Sequence, residues 1–301
     1  MIKCCASKNP FPRFKILTVC VNLCEGFIET KFIKGHFFMK KPKWVIKKEK
    51  DEKTAQKQTY WIFGLHAVRD ALVNQNRKKF RLMMTKNAAA KLSESISVSG
   101  LTPEIFDARQ FKPPIDKNSV HQGAVLEVES LQWGSLEDVI MNSRSNPPRL
   151  ILLDQVTDPH NVGAILRSAE VFGASAVVGT KIHSPSETGA LAKSASGALE
   201  RQPYIRIRNL ADTIQHLEKM GFISIGLDGE AENTLVDIQD ISCRPTALVL
   251  GSEGSGLRFR TKETVQFLVK IPFSTDFGSL NVSNAAAVGL YQLQELSQNL
   301  N

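Results

Sequence analysis

Leu150, Ile151, Leu152 and Leu153 stand in an unbroken apolar run that ends at the polar, proline-bearing stretch Asp154 to Pro159. A strand apolar at every position has both faces buried, as in a parallel sheet covered by helices on either side. The residues that follow agree: Val162, Ile165, Leu166, Ala169 and Phe172 recur at helical spacing, so run, loop and helix form one strand–loop–helix unit. His160, Gly163, Arg167 and Glu170 fall on the opposite stripe, which turns Arg167 away from the core. Further strands are expected at Ala176 to Val178, Ile223 to Leu227, Ala247 to Leu250 and Phe267 to Ile271. Helical stretches lie around Leu210 to Met220 and Arg258 to Val265, with a last helix over about Ser283 to Leu296. This order implies an α/β fold, a mainly parallel sheet with helices on both faces, over residues 149–301.

Ahead of it, the run Tyr60, Trp61, Ile62 and Phe63 ends at Gly64 and opens a smaller α/β module over residues 60–130. Val68, Leu72 and Val73 read as a helix face, Phe80, Leu82 and Met83 as a strand, Ala88 to Glu94 as part of a second helix, and Val120 to Val128 as a strand. Residues 131–148 read as a linker, ending in the turn-rich SRSNPP of Ser143 to Pro148.

The net charge of +8 invites a polyanion partner, but its distribution confines that inference. Residues 1–59 carry 14 Lys and Arg against 5 Asp and Glu, leaving 24 basic and 25 acidic groups in the rest, a net −1. Any polyanion site in the body must therefore be a local patch; Arg77, Lys78, Lys79 and Arg81 are the densest positive cluster of the front module, either an RNA contact or a solvated face. For the basic leader three readings stay open: organelle targeting by residues 1–38, a disordered arm that holds RNA, or an upstream extension before a start near Met39. Its apolar run, Ile16 to Val21, is too short to span a bilayer, and no membrane association is expected. Four of the five cysteines precede residue 25, so Cys243 has no partner within the body; a reducing compartment, the cytoplasm, fits.

Three loops after apolar strands carry the candidate chemistry. Leu250 to Leu257, LGSEGSGL, has glycines that let backbone N–H groups approach a ligand, with Glu253 at the mouth. It has neither the lysine of a phosphate-binding loop nor a dinucleotide fingerprint, which argues against a triphosphate and against a dehydrogenase. Asp158 to Ala164 with Arg167 offers amide and guanidinium groups suited to ribose and phosphate. Ile271, Pro272 and the run Ser279 to Ser283 form the third loop. Singly, each is also an ordinary turn or helix cap; together, after strands of one sheet, they can meet at one cleft. No metal-ligand spacing or nucleophile elbow is present. Cys243 reads as structural and His216 as a helix-surface residue.

On these residues the chain resembles the SPOUT superfamily, specifically the SpoU/TrmH family of S-adenosylmethionine-dependent RNA 2'-O-ribose methyltransferases. The first motif looks like Asn161, Gly163, Ala164 and Arg167, the second like Leu250 to Leu257, and the third like Ile271, Pro272 and Ser279 to Ser283. In the front module, Phe63 to Ala67 and His121, Gln122 and Gly123 look like the subgroup that methylates a guanosine of large-subunit (23S) ribosomal RNA. The resemblance implies a C-terminal trefoil knot, a homodimer, S-adenosyl-L-methionine as cofactor and RNA as partner. It places Gly251, Ile271 and Leu280 against the cofactor. Asn161, Arg167, Glu253, Asn281 and Ser283 fall around the reactive ribose, with Arg167 the favoured catalytic residue. The alternatives are a tRNA 2'-O-methyltransferase and a noncatalytic RNA-binding ribosome-assembly protein. Thr275 departs from the family's glycine at that place, so its loop is expected to take another path.

Overall fold

The structure, a computed structural model, describes residues 59–238, 241–272, 274 and 280–298. The expectations for residues 1–58, for Thr275 and for Ser279 lie outside the described residues.

The described residues belong to one compact unit with two sheets. The smaller has strands β1 (Thr59–Phe63), β2 (Lys79–Thr85), β3 (Glu104–Phe106) and β4 (Ala124–Glu129) in the order β1-β4-β2-β3. Strand β4 pairs antiparallel with β1 and β2, while β3 runs parallel to β2. Helix α1 (Leu65–Val73) buries Ala67, Val68, Ala71 and Leu72. The expected strand from Val120 begins only at Ala124, because Gln122 and Gly123 turn the chain with φ of 54° and 80°. The expected second helix is two, α2 (Lys86–Lys91) and α3 (Ser93–Ser99), broken at Leu92, where ψ moves to 13°.

The stretch expected as a linker contains a helix, α4 (Leu136–Met141). Ser135 and Asp138 close a reciprocal capping box at its start, and Leu136 and Ile140 are buried beneath it. Such a cap contributes about 1 kcal/mol, and the two apolar residues join the core below the larger sheet.

That sheet has β5 (Arg149–Asp154), β6 (Ala176–Thr180), β7 (Tyr204–Ile207), β8 (Ile223–Leu227), β9 (Thr246–Gly251) and β10 (Phe267–Val269), in the order β10-β8-β9-β5-β6-β7 with every pair parallel. Along the apolar run, Ile151 and Leu153 enter one core cluster while Leu150 and Leu152 enter another. The first face is covered by α5 (Pro159–Val171), α6 (Gly189–Ala195) and α9 (Val282–Gln298); the second by α4 and α7 (Leu210–Lys219). Truncating any of these strand leucines to alanine costs about 2–5 kcal/mol. Helix α6 and strand β7 had no sequence expectation: α6, GALAKSA, carries small residues instead of an apolar stripe.

Gly163 does not lie on the open stripe of α5. It is buried against α6, where an added Cβ would fall 2.5 Å from the Ser194 Cβ and 2.8 Å from the Ala195 nitrogen. The two helices approach closely because that side chain is absent. Gly189 does the same between α6 and the small sheet, its added Cβ meeting the Trp61 carbonyl oxygen at 2.3 Å.

Candidate active site

Strand β5 ends at Asp154, and the chain reverses through Gln155, a non-glycine residue at φ 60°, before α5 begins. Asp158 caps α5, its carboxylate accepting from the backbone N–H of His160 at 3.0 Å and Asn161 at 3.4 Å, and Pro159 stands in the first turn, where its missing N–H has no cost. This cap places Asn161 at the carboxyl edge of the sheet, where open α/β sheets form their sites.

Gly251 ends the neighbouring strand β9 directly beside Asp154. Beyond it Ser252 and Gly256 exchange backbone hydrogen bonds of 3.2 and 3.0 Å, closing residues 252–256 into a finger with Glu253 at its tip. The finger folds back so tightly that a Cβ on Gly251 would lie 2.1 Å from the Gly256 carbonyl carbon. Its base is tied to β5: the fully buried Asp154 carboxylate accepts from the Arg258 backbone N–H at 2.9 Å and from its Nε at 2.6 Å.

The three expected loops meet. Asn161 Nδ2 donates to Glu253 Oε1 at 3.0 Å, and Asn281 Nδ2 donates to the same oxygen and to Asn161 Oδ1 at 3.1 Å. Ser283 completes the chain of bonds, its backbone N–H and hydroxyl donating to Asn281 Oδ1 at 2.9 and 2.5 Å. Glu253 thus orders two amides from elements more than a hundred residues apart. Arg167 stands outside this network, exposed on α5 six residues, or about 9 Å of helical rise, beyond Asn161, and it makes no ion pair or hydrogen bond with the described residues.

Gly251, Ile271 and Leu280 line a cavity of about 600 Å³ together with the Gly-rich finger. Its far wall is the turn Leu227 to Glu230 after β8, with Lys262 of α8 (Phe259–Thr264). Sequence reasoning missed these residues; the available signal was one more apolar strand ending in a polar, glycine-bearing turn. Burial pushes the Asp228 carboxyl up, but Lys262 Nζ at 2.5 Å and the Glu230 N–H outweigh it and hold its pKa below the ordinary aspartate value. No His, Cys, Asp and Glu grouping able to hold a metal occurs among the described residues, and no described helix is long and apolar enough to cross a membrane.

The basic cluster at residues 77–81 is only partly open. Arg77 is 2% exposed and pairs with Glu187 at 2.8 Å and Glu200 at 2.7 Å. Lys79 donates to the carbonyls of Leu72 and Asn74, Arg81 forks onto Glu104, and Lys78 lies 3.4 Å from Glu129. The sequence presents these as neighbouring charges; the fold supplies hydrogen-bond acceptors to Arg77, Lys79 and Arg81 and leaves Lys78 exposed. Cys243, expected to be structural, is exposed in the turn before β9 and forms no disulfide among the described residues. His216 is on a helix surface as expected, 3.1 Å from Glu137.

Residues 148–291 match the SpoU rRNA Methylase family. The 23S rRNA (guanosine-2'-O-)-methyltransferase RlmB of Coxiella burnetii is 38% identical over 238 residues, covering 77% of this chain and 94% of the relative. The protein of that name from Pseudomonas putida is 34% identical over 235 residues with the same coverage. Among solved structures, the SpoU methyltransferase AviRb from Streptomyces viridochromogenes shares the fold with a TM-score of 0.66 at 20% identity, over 83% of this chain and 93% of that one. The AdoMet-bound rRNA methyltransferase from Sinorhizobium meliloti gives 0.63 at 22%, over 83% and 90%. With motifs, sheet order and these likenesses in agreement, the chain belongs to the SpoU rRNA methylase family.

Proposed function

We propose that this protein transfers a methyl group from S-adenosylmethionine to the 2'-hydroxyl of a guanosine ribose in large-subunit ribosomal RNA. The observation that carries this reading is the meeting of Asn161, Glu253, Asn281 and Ser283 beside a cavity walled by the second and third family loops and the turn after β8. The relatives' activity supplies the substrate.

The cavity's residues fit the cofactor. Leu227, Leu250, Ile271 and Leu280 offer an apolar wall for a purine, backbone at Gly251 is open to close approach, and the carboxylates of Asp228 and Glu230 suit hydroxyl or ammonium groups. When bound, the cofactor supplies a methyl group already activated on a sulfonium. The chain's own work is alignment: Glu253 fixes the Asn161 and Asn281 amides, which in turn present donors and acceptors to the ribose. Holding the 2'-oxygen in line supplies much of the rate. The exposed Arg167 guanidinium offers hydrogen-bond donors and no acceptor; it clamps an RNA phosphate, which can accept the hydroxyl proton.

The reading extends to the whole protein. Strand β10 lies at the edge of the sheet and α9 packs on β9 in its middle, and we assign the family's trefoil knot to this part of the chain. We assign a homodimer to the exposed Val171, Val288 and Tyr291, which lie on the packed pair α5 and α9. The free thiol of Cys243 accords with the cytoplasm.

Labelled S-adenosylmethionine incubated with unmodified ribosomal and transfer RNA tests the function. A single 2'-O-methylguanosine in large-subunit RNA is expected. Label in tRNA would replace the substrate, and no label together with no cofactor binding would leave only an RNA-binding role.

A further inference from the structure

A protein body with a net charge of −1 has to concentrate its cations where RNA lies. In the cluster at residues 77–81 Arg77 and Lys79 are taken up by internal partners and the exposed Arg81 by Glu104, which leaves little free charge there. The carboxyl edge of the larger sheet supplies it, beside the site. Register sets Gly251 of β9 level with Asp154 of β5, Leu152 of β5 with Val178 of β6, and Thr180 of β6 with Ile207 of β7. Strand ends from the cofactor loop to β7 therefore form one row, three strand spacings or about 14 Å long.

At the far end of that row stand Lys181, Arg206 and Arg208. The Lys181 N–H donates to the Ile207 carbonyl at 2.8 Å, and a terminal nitrogen of Arg206 donates to the Lys181 carbonyl, so the two strand ends are tied together. Lys181 and Arg208 are exposed and pair with no carboxylate among the described residues. The Arg206 Nε is buried with no hydrogen-bond partner among the described residues. The nearby acids are occupied: Asp154 by Arg258, Asp212 by Asn209 and Arg260, and Glu187 by Arg77 and Tyr60.

The turn that presents Lys181 is rigid. Thr180 N–H donates to Ser184 Oγ at 3.0 Å and His183 N–H to Thr180 Oγ1 at 3.3 Å. Gly179 lets Ser184 press against the strand, since an added Cβ would lie 2.6 Å from the serine side chain. At the tip, Ile182 is 83% exposed. An apolar side chain next to Lys181, on a turn held from below and beside cations with no carboxylate partner among the described residues, suits a nucleotide strand, which offers phosphates and the apolar faces of sugar and base together.

We propose that the ends of β6 and β7 hold the substrate RNA on one side of the methylated nucleotide, with Lys181 and Arg208 on backbone phosphates and Ile182 against a sugar or base. The proposal rests on the methyltransferase reading and names a binding surface for its substrate. Arg206 acts through the Lys181 carbonyl and positions the pair.

The test compares full-length wild type with K181Q/R208Q and with K219Q, which removes a lysine at the opposite edge of the sheet, at the end of α7. An unmodified large-subunit ribosomal RNA transcript is the probe, titrated by fluorescence anisotropy over a range of KCl concentrations; S-adenosylmethionine affinity is read by calorimetry. The double variant is expected to bind RNA about tenfold more weakly, and its slope of log affinity against log salt to flatten by roughly 1.5, the loss of two phosphate contacts. Its S-adenosylmethionine affinity and the RNA affinity of K219Q should match wild type. An unchanged salt slope in K181Q/R208Q, or an equal change in K219Q, would overturn the surface. Methyl transfer by the wild type is scored separately: RNA binding without transfer removes the enzymatic reading and leaves the surface standing, whereas no RNA binding by wild type overturns both.

Discussion

Arg167 and Gly251 separate two jobs at the site. Arg167 has no described partner to lose, so Arg167→Ala should leave folding and S-adenosylmethionine affinity intact while turnover falls about 100-fold, the 2–3 kcal/mol of a charge-assisted contact. Calorimetry beside single-turnover kinetics distinguishes this from loss of the cofactor; a parallel fall in affinity would remove Arg167 from the RNA side of the site. Gly251→Ala acts in the opposite sense. Its methyl would overlap the Gly256 backbone, which no rotamer change relieves. Opening the finger should cost about 1–3 kcal/mol and weaken cofactor binding at least about tenfold, measured as a lowered melting temperature and a raised Kd. At this same scale Asn161, Glu253, Asn281 and Ser283 were legible, because each follows an apolar strand or opens a helix. Asp154 and Asp228 were not: an aspartate at a strand end has no signature until its partner, 104 residues away for Arg258, is in place.

Between elements, the small sheet is held against the larger one by a buried charge cluster. Arg77 reaches from the turn before β2 to Glu187 and Glu200, and Tyr60 of β1 donates to Glu187 at 2.7 Å. Burial alone would lower the Arg77 pKa, but the hydrogen bonds to Glu200 and the surrounding negative charge raise it, so it is a cation throughout. Arg77→Ala strands two carboxylates in a buried seam and should cost about 3–5 kcal/mol, read as a shifted urea midpoint. Tyr60 gives the seam a pH dependence. Burial, and then the Glu187 charge, raise its phenol pKa above the ordinary 10.0. A folded state that resists ionisation keeps this stability below about pH 10 and loses it as pH rises further. Tyr60→Phe should therefore be less stable at neutral pH yet lose less between pH 10 and 11; parallel pH curves would contradict the assignment.

Across the whole molecule, α5 and α9 pack together and leave an apolar strip outside. Phe172 and Tyr291 meet edge to face with ring centres 6.2 Å apart, while Val171 remains 75% exposed and Tyr291 53%. Wild-type protein is expected to sediment at twice 33.3 kDa, and Val171→Asp with Tyr291→Arg to shift it to the monomer. A wild-type monomer at micromolar concentration would remove the dimer.

The amino-acid sequence by itself determined the parallel sheet, since an unbroken apolar strand such as Leu150 to Leu153 has to be covered on both faces, and it determined the three loops, since each polar run follows such a strand. These are properties of neighbouring residues, set by periodicity and by turn chemistry. The tertiary structure decided everything that depends on residues meeting from a distance. It took Arg77 out of a candidate RNA patch into buried ion pairs, turned Lys79 onto backbone carbonyls, put Gly163 inside a helix contact, and made a helix of residues expected to be linker. It also left Lys181 and Arg208 without carboxylate partners among the described residues. Charge in a sequence shows where a cation stands along the chain; only packing brings a carboxylate within about 3 Å of it or leaves it facing water, and that distance decides between structure and binding.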